Sequence, residues 1–340
     1  MSQQKRIRVA LIGTDTLRGM EMKNVLEEKK FPLERMDFFD PDVKETYSKL
    51  TEFQGEPRIV LPLEKEAVMS SDVVFLAADS QTNRSIGYLS TQKKFIAIDL
   101  NGTFNKEDNV PLAVAGVNHQ AVLQKNPSLI ANPHPVTIIL SHVLSVIVKK
   151  FHLMKAVVFV LQPVSAFGDP GIEELASQSF AVLNSSSITK KTFKTQIAFN
   201  LLSHTDSPDR DGFSPLERQI LSEIKRVLVI KDLPLSLSLI QTPVFHTYSL
   251  MIYLELDKSS SIRDLVNLFE ASPSFKVAPP SDYCPISSVH VAGKDKIFVG
   301  QIKKETAKPN TFWIWTVADN LTRGSALNAF EIFENFFLAS

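Results

Sequence analysis

The segment from Arg6 to Asp40 most narrows what this chain can fold into. Arg6 to Ile12 alternates basic and aliphatic residues and then turns fully apolar, as a strand buried on both faces does. Gly13 to Gly19 is a turn, Met20 to Lys29 reads as a helix, and Arg35-Met36-Asp37-Phe38-Phe39-Asp40 reads as a second strand with an acid at its end. Strand, glycine turn, helix, strand and acid make the outline of a dinucleotide-binding unit. The loop keeps two of the usual three glycines, Gly13 and Gly19, with Thr16 between them. A side chain at the middle position crowds the approach of a pyrophosphate. Arg18 stands ready either to pair with a phosphate or to remain solvated.

Asp72 to Ala78 and Phe95 to Leu100 read as further strands, each after a plausible helix, and Leu129 to Ala131 as one more. Repeated β-α units imply a mostly parallel, Rossmann-like sheet, so the first domain is expected to span 1–133. Beyond it the pattern changes. Lys155 to Pro163, Leu235 to Thr242, Pro243 to Leu256 and Lys296 to Gln301 read as strands of mixed alternation, and Trp313 and Trp315 alternate as core and interface residues. Helices are expected at Gly171 to Leu183, Pro215 to Leu228, Ile262 to Phe269 and, at the end, Ala318 to Phe337. The overall class is α/β: the first domain plus an α+β domain at 134–317 with a mixed or antiparallel sheet.

A length of 340 residues suits two domains. Lys+Arg and Asp+Glu are equal at 37 each, which favours neither nucleic acid nor an anionic membrane as partner. A single cysteine, Cys284, rules out an internal disulfide and suits a reducing compartment; it reads as a buried or edge thiol. The start, MSQQKRIRVALIG, lacks the apolar core and cleavage site of a signal peptide, so a soluble cytoplasmic protein is expected.

Leu129 to Leu140, LIANPHPVTIIL, is a strand that turns directly into a long apolar helix, Val136 to Phe151. Free N–H groups and the helix dipole at such a start favour negative charge and lower the pKa of a thiol. This chain places Pro135 there.

Many blocks, in order and at matching spacing, resemble the aspartate-semialdehyde dehydrogenase family. They include Val9 to Gly19, Asn101-Gly102-Thr103-Phe104, Gly116-Val117-Asn118, Ile130-Ala131-Asn132-Pro133, Gln196-Ile197-Ala198-Phe199-Asn200, Thr242-Pro243-Val244-Phe245, Ala318-Asp319-Asn320 and Ala326-Leu327-Asn328-Ala329. Within the family the chain is most similar to the Usg-like bacterial paralogues, which drift at catalytic positions. The resemblance implies an NAD(P) domain at 1–133 completed by a C-terminal helix at 318–340. It also implies a substrate and dimerisation domain at 134–317, and thus a homodimer or a pairing with an active paralogue. The family reaction is reductive dephosphorylation of aspartyl phosphate through a cysteine thioester.

Matched by block, the chemistry is missing. Pro135 stands at the nucleophilic cysteine, Tyr248 at the acid/base histidine, Gln241 and Asn105 at the two substrate-binding arginines, and Gln219 at a lysine, although Glu223 remains. No residue is therefore assigned as catalytic, and the expected role is a dimeric binding or regulatory protein. The alternative is an NAD(P)-dependent semialdehyde dehydrogenase-type oxidoreductase of altered chemistry. Its candidate pocket is His134, His246, Tyr248 and Gln162. If Val244 to Tyr248 is a strand, His246 and Tyr248 share a face and could join His134 as a general-base or metal site; the other expectation is a drifted pocket with polar lining and no metal. Candidate cofactor residues are Gly13, Thr16, Gly19, Asp40 and Asn320, the last matching a family residue near the nicotinamide or else capping the terminal helix. Asp40 favours a ribose hydroxyl over a 2′-phosphate, so NAD is expected over NADP if either binds.

Overall fold

The computed structural model describes residues 7–44, 49–92, 95–278 and 286–338. Arg6 and Cys284 lie outside the described residues. The chain forms two compact units, 1–134 with 325–340, and 135–324.

The first unit is built on strands β1 (Ile7–Ile12), β2 (Leu33–Asp40), β3 (Lys49–Phe53), β4 (Glu56–Pro62), β5 (Val73–Leu76), β6 (Ile96–Asp99) and β7 (Leu129–Ala131). Their order is β3-β4-β2-β1-β5-β6-β7. Every neighbouring pair is parallel except the β3–β4 hairpin, which the sequence reading missed. Helices α1 (Leu17–Lys29), α2 (Lys65–Val68), α3 (Ser80–Ser90) and α4 (His119–Leu123) fall between strands, as parallel pairing requires. Asp79 caps α3 by accepting from the Gln81 and Thr82 amides.

The terminal helix, Leu327–Leu338, adds Phe330 and Phe333 to the core that holds Val9, Leu11, Phe75, Ile98 and Ile130. At its start the Asn328 carboxamide accepts from the Ala115 amide (2.9 Å), and donates to the Ala113 carbonyl (3.0 Å) and to Asn132 Oδ1 (2.6 Å). A helix beginning at Ala318 is thus corrected. Residues up to Ala318 are strand, a π-helical turn covers Thr322–Ala326, and the helix starts at Leu327. The cause is Asp319, whose carboxylate accepts from the Leu321 and Thr322 amides (both 2.8 Å) and from the Gly293 amide (2.9 Å). These bonds keep 318–324 in the second unit, so the boundaries at 133 and 318 shift to 134 and 324.

In the second unit β8 (Leu153–Gln162), β9 (Leu235–Gln241), β10 (Tyr248–Leu256), β11 (Phe275–Val277), β12 (Ile297–Lys304) and β13 (Thr311–Ala318) form a mixed sheet ordered β11-β12-β13-β10-β8-β9. The β8–β9 and β11–β12 pairs are parallel and the others antiparallel. The helices are α5 (Pro135–Val148), α6 (Gly168–Leu183), α7 (Pro215–Leu228), α8 (Ile262–Glu270) and α9 (Ser288–Val291). Ser214 and Glu217 close a capping box on α7, with Pro215 in its first turn.

Strand alternation sorts the sheet into two faces. Val158, Val160, Leu250, Ile252 and Ile314 pack with Val136, Val143, Ile220, Ile224 and Leu265 of α5, α7 and α8. The opposite face carries the cross-strand rows Phe159–Met251–Trp315 and Val157–Tyr253–Trp313. There Phe159 is 40% exposed, and the Tyr253 and Trp313 rings meet edge-on with centroids 5.0 Å apart.

The chain between α6 and α7 is held by two buried side chains of α6. Glu174 accepts from the amides of Lys191 (2.9 Å), Thr192 and Phe193 (3.3 Å), and Gln178 accepts from those of Ile197 (2.8 Å) and Ala198 (3.3 Å). Truncating Glu174 to alanine strands three amides, and we expect it to lower unfolding free energy in urea by about 2–3 kcal/mol. Limited proteolysis should then cut near residue 190.

Candidate functional site

In the first unit the glycine loop is tightly folded on itself. A Cβ on Gly13 would lie 2.5 Å from the Ala78 backbone nitrogen, and one on Gly19 would lie 2.0 Å from the Gly13 carbonyl oxygen. Only glycine permits these approaches. Thr16 fills the loop: its hydroxyl contacts the Gly13 (3.0 Å) and Ala77 (3.1 Å) carbonyls and accepts from the Gly19 amide (3.0 Å), which caps α1. Arg18 donates to Asn101 Oδ1. Nearby, buried Asp99 holds the Asn101–Phe104 turn by accepting from the Asn101 and Phe104 amides. Burial pushes its carboxyl up, against those bonds and the charge of Arg18.

Asp40, the acid at the end of β2, has protein partners of its own. It is buried, it accepts from the Thr14 amide (2.8 Å) and the Thr14 hydroxyl, and it lies 2.8 Å from Lys49 Nζ. Lys49 also lies 2.9 Å from Asp15 and 3.5 Å from Asp42. Burial alone would lower the lysine, but hydrogen bonds and charge from Asp40 and Asp15 outweigh it and hold the ammonium above its usual range. As folded, a threonine holds the middle-glycine position and the acid at the end of β2 is paired with a lysine.

In the second unit Pro135 opens α5 with no N–H to offer, the position in a helix that suits proline. It is buried, and its Cβ would lie 2.9 Å from a Cβ built on Gly324. The absence of a side chain at Gly324 is therefore what leaves room for the proline ring. One turn on, the Thr137 hydroxyl donates to Glu223 (2.6 Å), which also accepts from the Gln219 carboxamide (2.7 Å).

Gln162, Gln241 and Tyr248 are brought together, all buried. The Tyr248 hydroxyl donates to Gln162 Oε1 (3.2 Å), and Gln162 Nε2 donates to Gln241 Oε1 (2.9 Å). Gln241 Nε2 donates to the Gln162 and Thr242 carbonyls (both 3.1 Å), and the Thr242 hydroxyl donates to the Gln162 carbonyl (2.9 Å). These neutral groups hydrogen-bond to one another, as burial demands of polar side chains.

His246 is not part of that network. The strand expected from Pro243 begins only at Tyr248, because 242–247 is irregular and Thr247 has φ +76°. His246 and Tyr248 therefore do not share a strand face. His246 instead lines an outer cavity of about 600 Å³ with Phe245, Ser288 and Val289. Asn320 is tied into the second unit, accepting from the Thr247 amide (2.9 Å) and donating to the Ser165 hydroxyl (3.1 Å). It caps no helix, since the last helix starts at Leu327, and Asp319 caps the turn. Asn105 is a buried neutral side chain in the turn after Gly102.

His134 is packed densely enough that burial, aided by the positive charge of Arg18, pushes its pKa down to about 3. The shift favours the neutral imidazole at neutral pH. Among the described residues no group of three or more His, Cys, Asp or Glu could hold a metal ion. The residue that sequence reasoning missed is Lys49. It lies nine positions past Asp40 and returns to it through the β3–β4 hairpin, a path with no local spacing signal.

One unit is a parallel sheet with a glycine loop and the other a mixed sheet, the two-domain class of fold seen in semialdehyde dehydrogenases. Residues 8–125 match the semialdehyde dehydrogenase NAD binding domain and residues 144–323 the semialdehyde dehydrogenase dimerisation domain. The chain belongs to the aspartate-semialdehyde dehydrogenase family. It is 28% identical over 338 residues to aspartate-semialdehyde dehydrogenase of Bacillus subtilis, covering 97% of each chain. It is 30% identical over 332 residues to that of Aquifex aeolicus, covering 96% of this chain and 97% of the relative. The crystal structure of aspartate semialdehyde dehydrogenase II from Vibrio cholerae superposes with a TM-score of 0.90 at 25% identity, covering 97% of this chain and 98% of that one.

The depressed His134 has a consequence for stability. Its folded pKa of about 3 lies below the ordinary 6.5, so the unfolded chain takes up the proton first as pH falls. Its contribution is thus complete above 6.5 and is lost on acidification toward 3, by about 1 kcal/mol per pH unit. Urea unfolding at pH 7 and pH 5 should show His134→Gln losing less stability between the two than the parent chain.

Proposed function

We propose that this chain is a catalytically inactive member of the family, similar to its Usg-like paralogues, and that it acts as a dimeric binding or regulatory protein. The observation that carries this reading is the buried, neutral hydrogen-bonded group of Gln162, Gln241 and Tyr248. By the resemblance, two of these positions belong to a substrate-binding arginine and an acid/base histidine. A thioester route needs a thiolate, a proton-transfer group and cations for a dianionic substrate. Pro135, Tyr248, Gln241 and Asn105 supply none of these. With aspartate semialdehyde, phosphate and NAD or NADP, turnover is expected to stay at background. Pro135→Cys is expected to stay there too, because the acid/base and cationic groups are still lacking. Steady turnover by the parent chain that a single pocket substitution abolishes would refute the reading and favour the oxidoreductase of altered chemistry.

The open face of the mixed sheet supports assembly as a homodimer. Exposed Phe159 and half-buried Val157, Met251, Tyr253 and Trp313 form an apolar row on that face, within the segment that matches the dimerisation domain. Dimer formation would bury these rings, the kind of core that symmetric interfaces use. Phe159→Glu places a charge at the centre of that face. Light scattering should show the parent at twice 38.0 kDa and the variant at 38.0 kDa. Co-purification with an active paralogue instead of self-association would point to a mixed dimer. A cytoplasmic setting fits this role, and among the described residues no helix is long and apolar enough to cross a membrane.

A further inference from the structure

The ion-pair cluster at the end of β2 is a feature that the proposed role leaves unused. Lys49 Nζ sits between Asp40 (2.8 Å), Asp15 (2.9 Å) and Asp42 (3.5 Å). Asp40 is buried, whereas the side chains of Asp15 and Asp42 are 60% and 67% exposed and that of Lys49 is 20% exposed. In a dinucleotide fold the acid at this place accepts hydrogen bonds from ribose hydroxyls.

We propose that Lys49 is a built-in occupant of the ribose position, which holds the glycine-loop unit closed to NAD. The inference rests on reading the first unit as a retained nucleotide-binding architecture. A carboxylate offers about four acceptor positions. On Asp40 the Thr14 amide, the Thr14 hydroxyl and Lys49 take three of them. The two Thr14 bonds belong to the fold of the loop, since Thr14 is fully buried next to Gly13. Lys49 is the occupant that can leave, because it comes from an edge strand and reaches Asp40 only through its side chain. Ribose hydroxyls must displace an ammonium held by three carboxylates, which is a poor exchange for a neutral donor.

The same charges select the dinucleotide. One ammonium among three carboxylates leaves a net negative rim, and removing Lys49 makes it more negative. A 2′-phosphate is repelled in both cases, so the site opened by removing Lys49 takes NAD and not NADP. Thr16 is a second, separate closure at the pyrophosphate position.

Calorimetric titration of NAD and NADP into the full chain tests this, using the parent, Lys49→Met, Thr16→Gly and the double variant. Lys49→Met is expected to bind NAD at least tenfold more tightly than the parent, and the double variant more tightly than either single one, with NADP weaker than NAD throughout. If Thr16→Gly gains NAD affinity and Lys49→Met does not, the role of Lys49 is overturned and the nucleotide architecture stands. If no variant binds at millimolar NAD while circular dichroism shows all four folded, both readings fall. A parent that prefers NADP and loses it in Lys49→Met would make Lys49 a phosphate receptor and overturn the proposal. Should Lys49→Met fail to fold, Lys49→Gln keeps a polar side chain without the charge and carries the same expectations.

Discussion

The buried carboxylate of Asp319 is the constraint on which the surroundings of α5 depend. Three amides converge on it, two from its own turn and one from Gly293. A fourth bond runs from the Gly324 amide to the Asp319 carbonyl at 2.8 Å. Together they end β13, wind the next residues into a π-helical turn and press Gly324 onto Pro135. Asn320, carried by the same turn, is aimed at Ser165 and at the amide of Thr247. One carboxylate thus sets the packing over the helix start and the strained loop that precedes Tyr248. Turns of this kind persist only where neighbouring bonds over-determine them.

The polar interior around Tyr248 has its own physical logic. Arginine and histidine in a buried pocket carry a large desolvation cost unless a ligand or an acid compensates them. Two carboxamides and a phenol carry no such cost, and they can donate and accept among themselves. Here they do so completely enough to leave the Gln162 carbonyl with two donors. A pocket arranged this way is stable without an anion, whereas one lined by cations is waiting for one. Glu223 follows the same pattern, since the Gln219 carboxamide and the Thr137 hydroxyl both donate to it.

Much of this was legible in the sequence, and the exceptions have physical causes. The run from Arg6 to Asp40 announced parallel strands because apolar residues crowd a strand buried on both faces. The mixed second sheet followed from longer alternating segments. The β3–β4 hairpin stayed hidden because it lies at the edge, where exposed Leu50, Ile59 and charged neighbours blur the alternation. Pro243 to Phe245 looked like a strand because apolar residues there continue into β10; the positive φ of Thr247 breaks them apart and leaves no trace in composition. Ala318 was read into the terminal helix because ADN resembles a helix start, and here the carboxylate of Asp319 caps a turn instead. At the candidate site, Gln162, Gln241 and Tyr248 could be named from their blocks. Their mutual hydrogen bonds, and the pairing of Asp40 with Lys49, depend on tertiary geometry that spacing does not encode.

The bonds of Asn328 give the chain an order of assembly. They join the start of the last helix to Ala113, Ala115 and Asn132, about two hundred residues earlier, and Phe330 and Phe333 complete the core beneath β1. The second unit is continuous in sequence, from 135 to 324, and is fully synthesised before those residues emerge. The unit built on residues 7–134 is therefore completed after the one at 135–324. Until Leu327–Leu338 has emerged from the ribosome, its parallel sheet has an uncovered apolar flank, the kind of surface that makes a nascent chain prone to aggregation. Losing the Leu327–Leu338 helix would thus be felt first as damage to the unit at 7–134.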